Sequence, residues 1–146
     1  MIPENTMLLR VVTPGGTIVE EPMASVALWT ALGEIEVLPG HAPTVVLLEP
    51  GEMRLRGPDG SQRAFAAGEG FARIEQKSVT VFSDMAEAAD GIELEKEEEA
   101  KRRAEKALAE SANLTDDERD AADLIVREAV AKIQMTLRRK PGERRT

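Results

Sequence analysis

His41 is the single histidine of the chain, and Glu34 and Glu36 precede it closely. An imidazole near two carboxylates is the raw material of general acid–base chemistry. All three lie in the run Gly33-Glu34-Ile35-Glu36-Val37-Leu38-Pro39-Gly40-His41-Ala42-Pro43. Their spacing argues against a reaction centre. In a strand, Glu34 and Glu36 share one face and are carried away from the Pro39-Gly40 turn that holds His41. A zinc site needs three or four ligands, and there is no second histidine and no cysteine. No phosphate-binding loop, nucleophile elbow or dinucleotide fingerprint occurs; Gly68-Glu69-Gly70 lacks both the third glycine and a following helix. The expectation is a chain with no catalytic residues and no metal, in which His41 belongs to a stiff corner or an interface.

Composition narrows the classes further. A net charge of −8 with 42% hydrophobic residues in 146 fits a soluble globular protein. The absence of cysteine removes disulfides and thiolate catalysis and fits a reducing compartment. Aromatics are limited to Trp29, Phe65, Phe71 and Phe82, so the core is expected to be aliphatic and stacking platforms for single strands are absent. An acidic chain is also a poor neutraliser of phosphates, which excludes a dedicated nucleic-acid binder. No apolar run approaches the roughly 20 residues that span a bilayer, so membrane association is expected only through a partner.

These residues are positioned by two regions of different period. The chain changes character between Asp84 and Asp90, which divides it into a β domain over 1–86 and a helical domain over 87–146. In the first, turn signals recur at Thr13-Pro14-Gly15-Gly16, Pro39-Gly40, Pro50-Gly51 and Pro58-Asp59-Gly60. Strand-like runs at 7–12, 17–20, 25–29, 44–48, 52–56 and 78–82 predict an antiparallel sandwich or barrel. Alternation places Met53 and Leu55 inside, with Glu52, Arg54 and Arg56 outside. The apolar run Val45-Val46-Leu47-Leu48, and Val79 and Val81 beside Thr80 and Phe82, predict burial on both faces.

In the second region, residues 92–111 lack glycine and proline and are rich in strong helix formers. Glu97/Lys101, Glu98/Arg102 and Glu99/Arg103 are spaced as i,i+4 pairs. Thr115-Asp116-Asp117-Glu118 has the form of a capping box opening a second helix. Its apolar stripe is expected at Ala121, Leu124, Ile125, Ala129, Ile133 and Leu137, and Pro141-Gly142 should stop it. The short connection predicts an antiparallel hairpin. Its seam is mostly alanine, and each methyl buries only about 0.8 kcal/mol of apolar surface against roughly 1.5–3 for leucine or isoleucine. Such a hairpin is expected to be metastable. Glu97-Glu98-Glu99 is read as a solvated face rather than a cation site.

The blocks Gly33 to Pro43, Leu48-Glu49-Pro50-Gly51, Gly68-Glu69-Gly70-Phe71-Ala72-Arg73-Ile74 and Val79-Thr80-Val81-Phe82-Ser83-Asp84, followed by the alanine- and charge-rich helices, resemble the epsilon subunit of F-type ATP synthase over nearly the whole chain. The resemblance implies an N-terminal sandwich of about ten short strands and a C-terminal helical hairpin. It implies a non-catalytic rotor subunit that binds the gamma subunit and the ring of c subunits, with helices that regulate ATP hydrolysis. The setting would be peripheral, on the cytoplasmic face of a bacterial plasma membrane. Interface candidates are then Trp29, Ala31, Leu32, Gly33, Glu34, Glu36, His41 and Pro43, with 31–36 as the ring-facing loop. Arg102, Arg103, Lys106, Arg127, Lys132, Arg138 and Arg139 would form a basic face that engages the catalytic alpha and beta subunits transiently. Some relatives hold ATP as a regulatory ligand at the start of the first helix, here Ile92, Glu93 and Lys96. Lys96 lacks the planar fork of arginine and Glu97 adds a carboxylate, so no cofactor is expected. The rival reading is a standalone sandwich that binds a ligand or nucleotide.

Overall fold

The computed structural model describes residues 4–110 and 112–143, the side chains of 139–143 excepted. Ten strands form one sheet: β1 (Met7–Thr13), β2 (Gly16–Met23), β3 (Ser25–Thr30), β4 (Gly33–Val37), β5 (Thr44–Leu48), β6 (Gly51–Arg56), β7 (Gln62–Ala67), β8 (Gly70–Ile74), β9 (Ser78–Ser83) and β10 (Ala86–Ala88). A 3₁₀ turn at Ala89–Gly91 leads to α1 (Leu94–Glu110) and α2 (Asp116–Glu143). The contacts divide the chain into two compact units, Met1–Ala88 and Ala89–Thr146.

Strand order is β10-β7-β6-β3-β5-β8-β9-β1-β2, with β4 paired to β3. The sheet curls into a sandwich because β3 changes partner along its length. Ser25 to Ala27 pair with β6, whereas Thr30 pairs with Leu48 of β5. All pairs are antiparallel except β1 with β9, which run parallel through Leu9↔Val79 and Val11↔Val81. That pair departs from the wholly antiparallel expectation; side-chain alternation fixes a strand's face but not its direction. The inward faces meet in a core of Met7, Leu9, Val11, Val26, Leu28, Val37, Met53, Leu55, Ile74, Val79 and Val81, all essentially removed from water. Met53 and Leu55 point inward and Arg54 and Arg56 outward, as their alternation predicts.

The two strands expected to be covered on both faces are not. Val46 and Leu48 turn toward the core, but Val45 is 65% and Leu47 74% exposed. On β9, Val79 and Val81 are buried while Phe82 is exposed. Among the described residues no second layer of the sandwich covers that side, so apolar character on these strands marks two different destinations.

In the helical unit the capping box forms in both directions. The Glu118 N–H donates to Thr115 Oγ1 at 3.1 Å, and the Thr115 N–H donates to Glu118 Oε2 at 3.3 Å. The stripe expected on α2 is fully met only at Ala129, and two residues outside it are buried as well. Ala129, Ala131 and Met135 are buried, whereas Ile125 and Leu137 are about half exposed and Ala121 is exposed. The helix also continues through Pro141-Gly142 to Glu143. The proline removes a single backbone donor there, in the last turn, where little helix remains to be broken.

Candidate functional site

The expected loop at 31–36 is mostly strand. Ile35 is half-buried and Val37 fully buried while Glu34 and Glu36 face out, so alternation continues the sheet from Gly33 onward. β4 pairs with β3 through Trp29↔Glu34 and Ala27↔Glu36, leaving only Ala31-Leu32 as the turn. Thr30 knits that turn: its hydroxyl donates to the Gly33 carbonyl at 2.8 Å and accepts from the Leu32 N–H at 3.2 Å. Leu32 is thereby held at the tip with its side chain 100% exposed, beside exposed Ala31.

Behind the tip, the side chains expected to meet a partner are engaged within the sheet. Arg54 Nη2 donates to Glu34 Oε1 across the intervening β3, and Arg54 Nε lies 3.8 Å from Glu52 Oε1. Trp29, partly exposed, packs closely against Gly51. A Cβ at position 51 would come within 2.5 Å of the indole Cγ, so only glycine admits this packing. The signature Leu48-Glu49-Pro50-Gly51 thus serves Trp29, whose carbonyl accepts the Glu49 N–H at 3.1 Å.

His41 sits apart from these carboxylates. Leu38 to His41 form a tight turn closed by the His41 N–H donating to the Leu38 carbonyl at 3.2 Å, with Pro39 and Gly40 (φ +90°) as the central pair of a type II turn. The imidazole Nδ1–H donates to the Ala42 carbonyl at 2.7 Å, which fixes the ring over the exit of the turn, and Pro43 follows exposed. Among the described residues no cluster of three or more His, Asp or Glu side chains is placed to hold a metal ion.

A surface that the periodicity missed lies on the outward face of β5, β8, β9 and β1. The registers Leu47↔Phe71, Phe71↔Phe82 and Val12↔Phe82 set these four residues in one cross-strand row. Phe71 and Phe82 stack with centroids 4.9 Å apart, and Val45 extends the apolar area one step along β5. A neighbouring row, Arg73↔Thr80↔Arg10↔Glu20, is polar, and Arg10 pairs with Glu20 at 3.1 Å. Contiguous exposed apolar rows rimmed by polar groups mark association surfaces. The available signal was the apolar run at 45–48, whose two faces have different fates.

The helical candidates are scattered. Ile92 is buried, and Glu93 pairs with Lys96 at 3.4 Å on the surface. Arg102, Arg103 and Lys106 are exposed on α1, and Arg103 holds Glu99 at 2.7 Å. Arg138 donates to the Gln134 carbonyl at 3.4 Å. Arg127 is partly buried, and the Arg139 side chain lies outside the described residues. Lys132 does not join an exposed basic face: its side chain is 15% exposed and its Nζ lies 3.4 Å from Glu97 Oε1 on α1. Glu97, expected to pair along its own helix with Lys101, reaches across the hairpin instead.

Comparison with known proteins identifies this architecture. The family model of the ATP synthase Delta/Epsilon chain β-sandwich domain matches residues 6–89. The epsilon chain of Macrococcus caseolyticus is 39% identical over 107 residues, 73% of this chain and 79% of that protein. The chain belongs to the ATP synthase epsilon-chain family. The epsilon chain of Bacillus velezensis extends the likeness into the helices, at 33% identity over 130 residues, 89% of this chain and 96% of that one. A chain of the Euglena gracilis mitochondrial ATP synthase, solved by cryo-EM with OSCP, F1 and the c-ring, shares the fold with a TM-score of 0.72 and 23% identity, covering 96% of this chain and 83% of its own. Epsilon chains are non-catalytic stalk subunits, so this chain is a rotor component of ATP synthase rather than an enzyme or a standalone binding module. No helix among the described residues is long and apolar enough to cross a membrane.

Proposed function

We propose that the sandwich is a two-sided adaptor in the rotor. The row Val12, Leu47, Phe71 and Phe82, with Val45, is its seat on the gamma subunit, and the Leu32 tip is its contact with the c-ring. The exposed apolar row carries this reading. An isolated sheet gains nothing from presenting Leu47 and Val45 to water, and covering such side chains is worth roughly 1.5–3 kcal/mol each. The knitted Ala31-Leu32 turn supports the second contact: a leucine held at a rigid tip enters an apolar surface without losing much entropy. Glu34 and Glu36 brace or flank that tip. The α1–α2 hairpin is the regulatory element that restrains ATP hydrolysis, acting transiently on the alpha and beta subunits through Arg102, Arg103 and Lys106. The complex would stand on the cytoplasmic face of a bacterial plasma membrane, reached by this chain through its partners alone.

The test is assembly. Leu47→Glu with Phe71→Glu should abolish co-purification with gamma, while the free chain loses only the Phe71–Phe82 stack and gains one cross-strand carboxylate pair, a cost of about 1–2 kcal/mol that its own melting curve measures. Leu32→Ser should leave gamma binding intact and weaken retention of the c-ring. Undiminished gamma binding by the Leu47→Glu, Phe71→Glu chain would overturn the proposed seat.

A further inference from the structure

One position of the helical hairpin's seam is held by a charged pair rather than by apolar packing. On α1, Glu97, Ala104 and Leu108 occupy one face at spacings of seven and four, and Ala104 is the buried residue among them. Glu97 therefore takes a seam position that packing would assign to an apolar side chain. Its Oε1 meets Lys132 Nζ at 3.4 Å, with 16% and 15% of the two side chains exposed. The surface pairs Arg10–Glu20, Arg63–Glu21, Arg73–Glu75 and Arg103–Glu99 differ in kind: both partners of each remain well exposed. A surface pair contributes little because water and salt compete for both charges. A pair largely withdrawn from water behaves otherwise, since removing one member takes away an attraction between the helices that water does not replace.

We propose that Glu97–Lys132 is an electrostatic latch, and that its integrity, more than apolar burial, sets whether α1 and α2 stay together. The two residues are 35 apart in sequence and belong to different helices, so the pair closes the hairpin rather than stiffening one helix. The latch is a property of the chain alone and stands whether or not the helices restrain hydrolysis. It makes a prediction that an apolar seam does not. Removing either charge should open the hairpin, exchanging the two charges should close it again, and replacing both by apolar side chains of similar volume should close it in a salt-independent way.

The chain has no cysteine, so two introduced thiols report without interference. Glu95 and Gln134 are exposed positions on α1 and α2, near the latch. Glu95→Cys with Gln134→Cys in the full chain, carrying spin labels, gives the interhelix distance distribution by pulsed electron resonance. The latch predicts a short-distance population that loses ground at least tenfold, relative to the long one, on Glu97→Gln or Lys132→Met. It predicts recovery in the combined Glu97→Lys, Lys132→Glu chain, and an unsalted-like closed population at molar salt for Glu97→Leu with Lys132→Met. Circular dichroism separates opening from melting, since separated helices keep their α signal. Unchanged distances in both single variants would overturn the latch. So would a charge-exchanged chain that stays open while its helices remain formed.

Discussion

In the sheet, Met7, Leu9, Leu28, Met53, Leu55 and Ile74 are each removed from water; in the helices, the buried apolar side chains among the described residues are Met135 and three alanines, Ala104, Ala129 and Ala131. At roughly 1.5–3 kcal/mol for a large apolar side chain against about 0.8 for a methyl, the sheet holds its shape by burial. The helices depend on a cap, a short alanine seam and the Glu97–Lys132 pair. The difference suits the two proposed tasks. A surface proposed to join rotor partners gains from rigidity, and an element proposed to restrain hydrolysis gains from a closure that a few kcal/mol reverses.

Four changes break or sharpen the contrast. The largest effect is expected for Leu55→Ala, which empties a core site and should cost the sheet about 2–5 kcal/mol in thermal denaturation while the helical signal of the 92–143 region changes little by itself. Gly51→Ala comes next: the new Cβ overlaps the Trp29 ring, for a cost of about 1–3 kcal/mol. Trp29 is the sole tryptophan, so its fluorescence should report the displaced indole directly. Thr115→Ala removes the cap of α2, about 1 kcal/mol, and should increase amide exchange in its first turn without lowering sheet stability. The smallest effect belongs to Glu75, whose carboxyl the Ser78 hydroxyl, and then Arg73, hold below its ordinary range. A lowered folded value means that this contribution is present above the unfolded pKa and lost as pH falls through the folded one. Ser78→Ala should move the Glu75 midpoint upward in a carboxyl NMR titration and narrow that acid window.

The sandwich was legible because its signals are local. Alternation at 52–56 placed Met53 and Leu55 inside, and Thr115 to Glu118 specified both halves of a capping box. What stayed hidden was non-local. An apolar side chain reads the same whether the fold or a partner covers it, so Val45, Leu47 and Phe82 passed for core. Glu97 has a cation four residues on, and nothing in the sequence says that Lys132 will be nearer. Chain direction was equally silent, which is why the parallel β1–β9 pair was unforeseen. Among the site candidates, the Leu32 loop came from the family resemblance and not from a turn signal, whereas the roles of Glu34 and Trp29 depended on Arg54 and Gly51 from another strand.

One chain joins a firmly held sheet to a weakly latched hairpin. Native-state hydrogen exchange on the full chain tests it most directly. Amides of α1 and α2 should exchange through an opening of lower free energy than those of β1, β8 and β9, and added salt should lower the helical value alone. Equal protection in the two units, unaffected by salt, would contradict it.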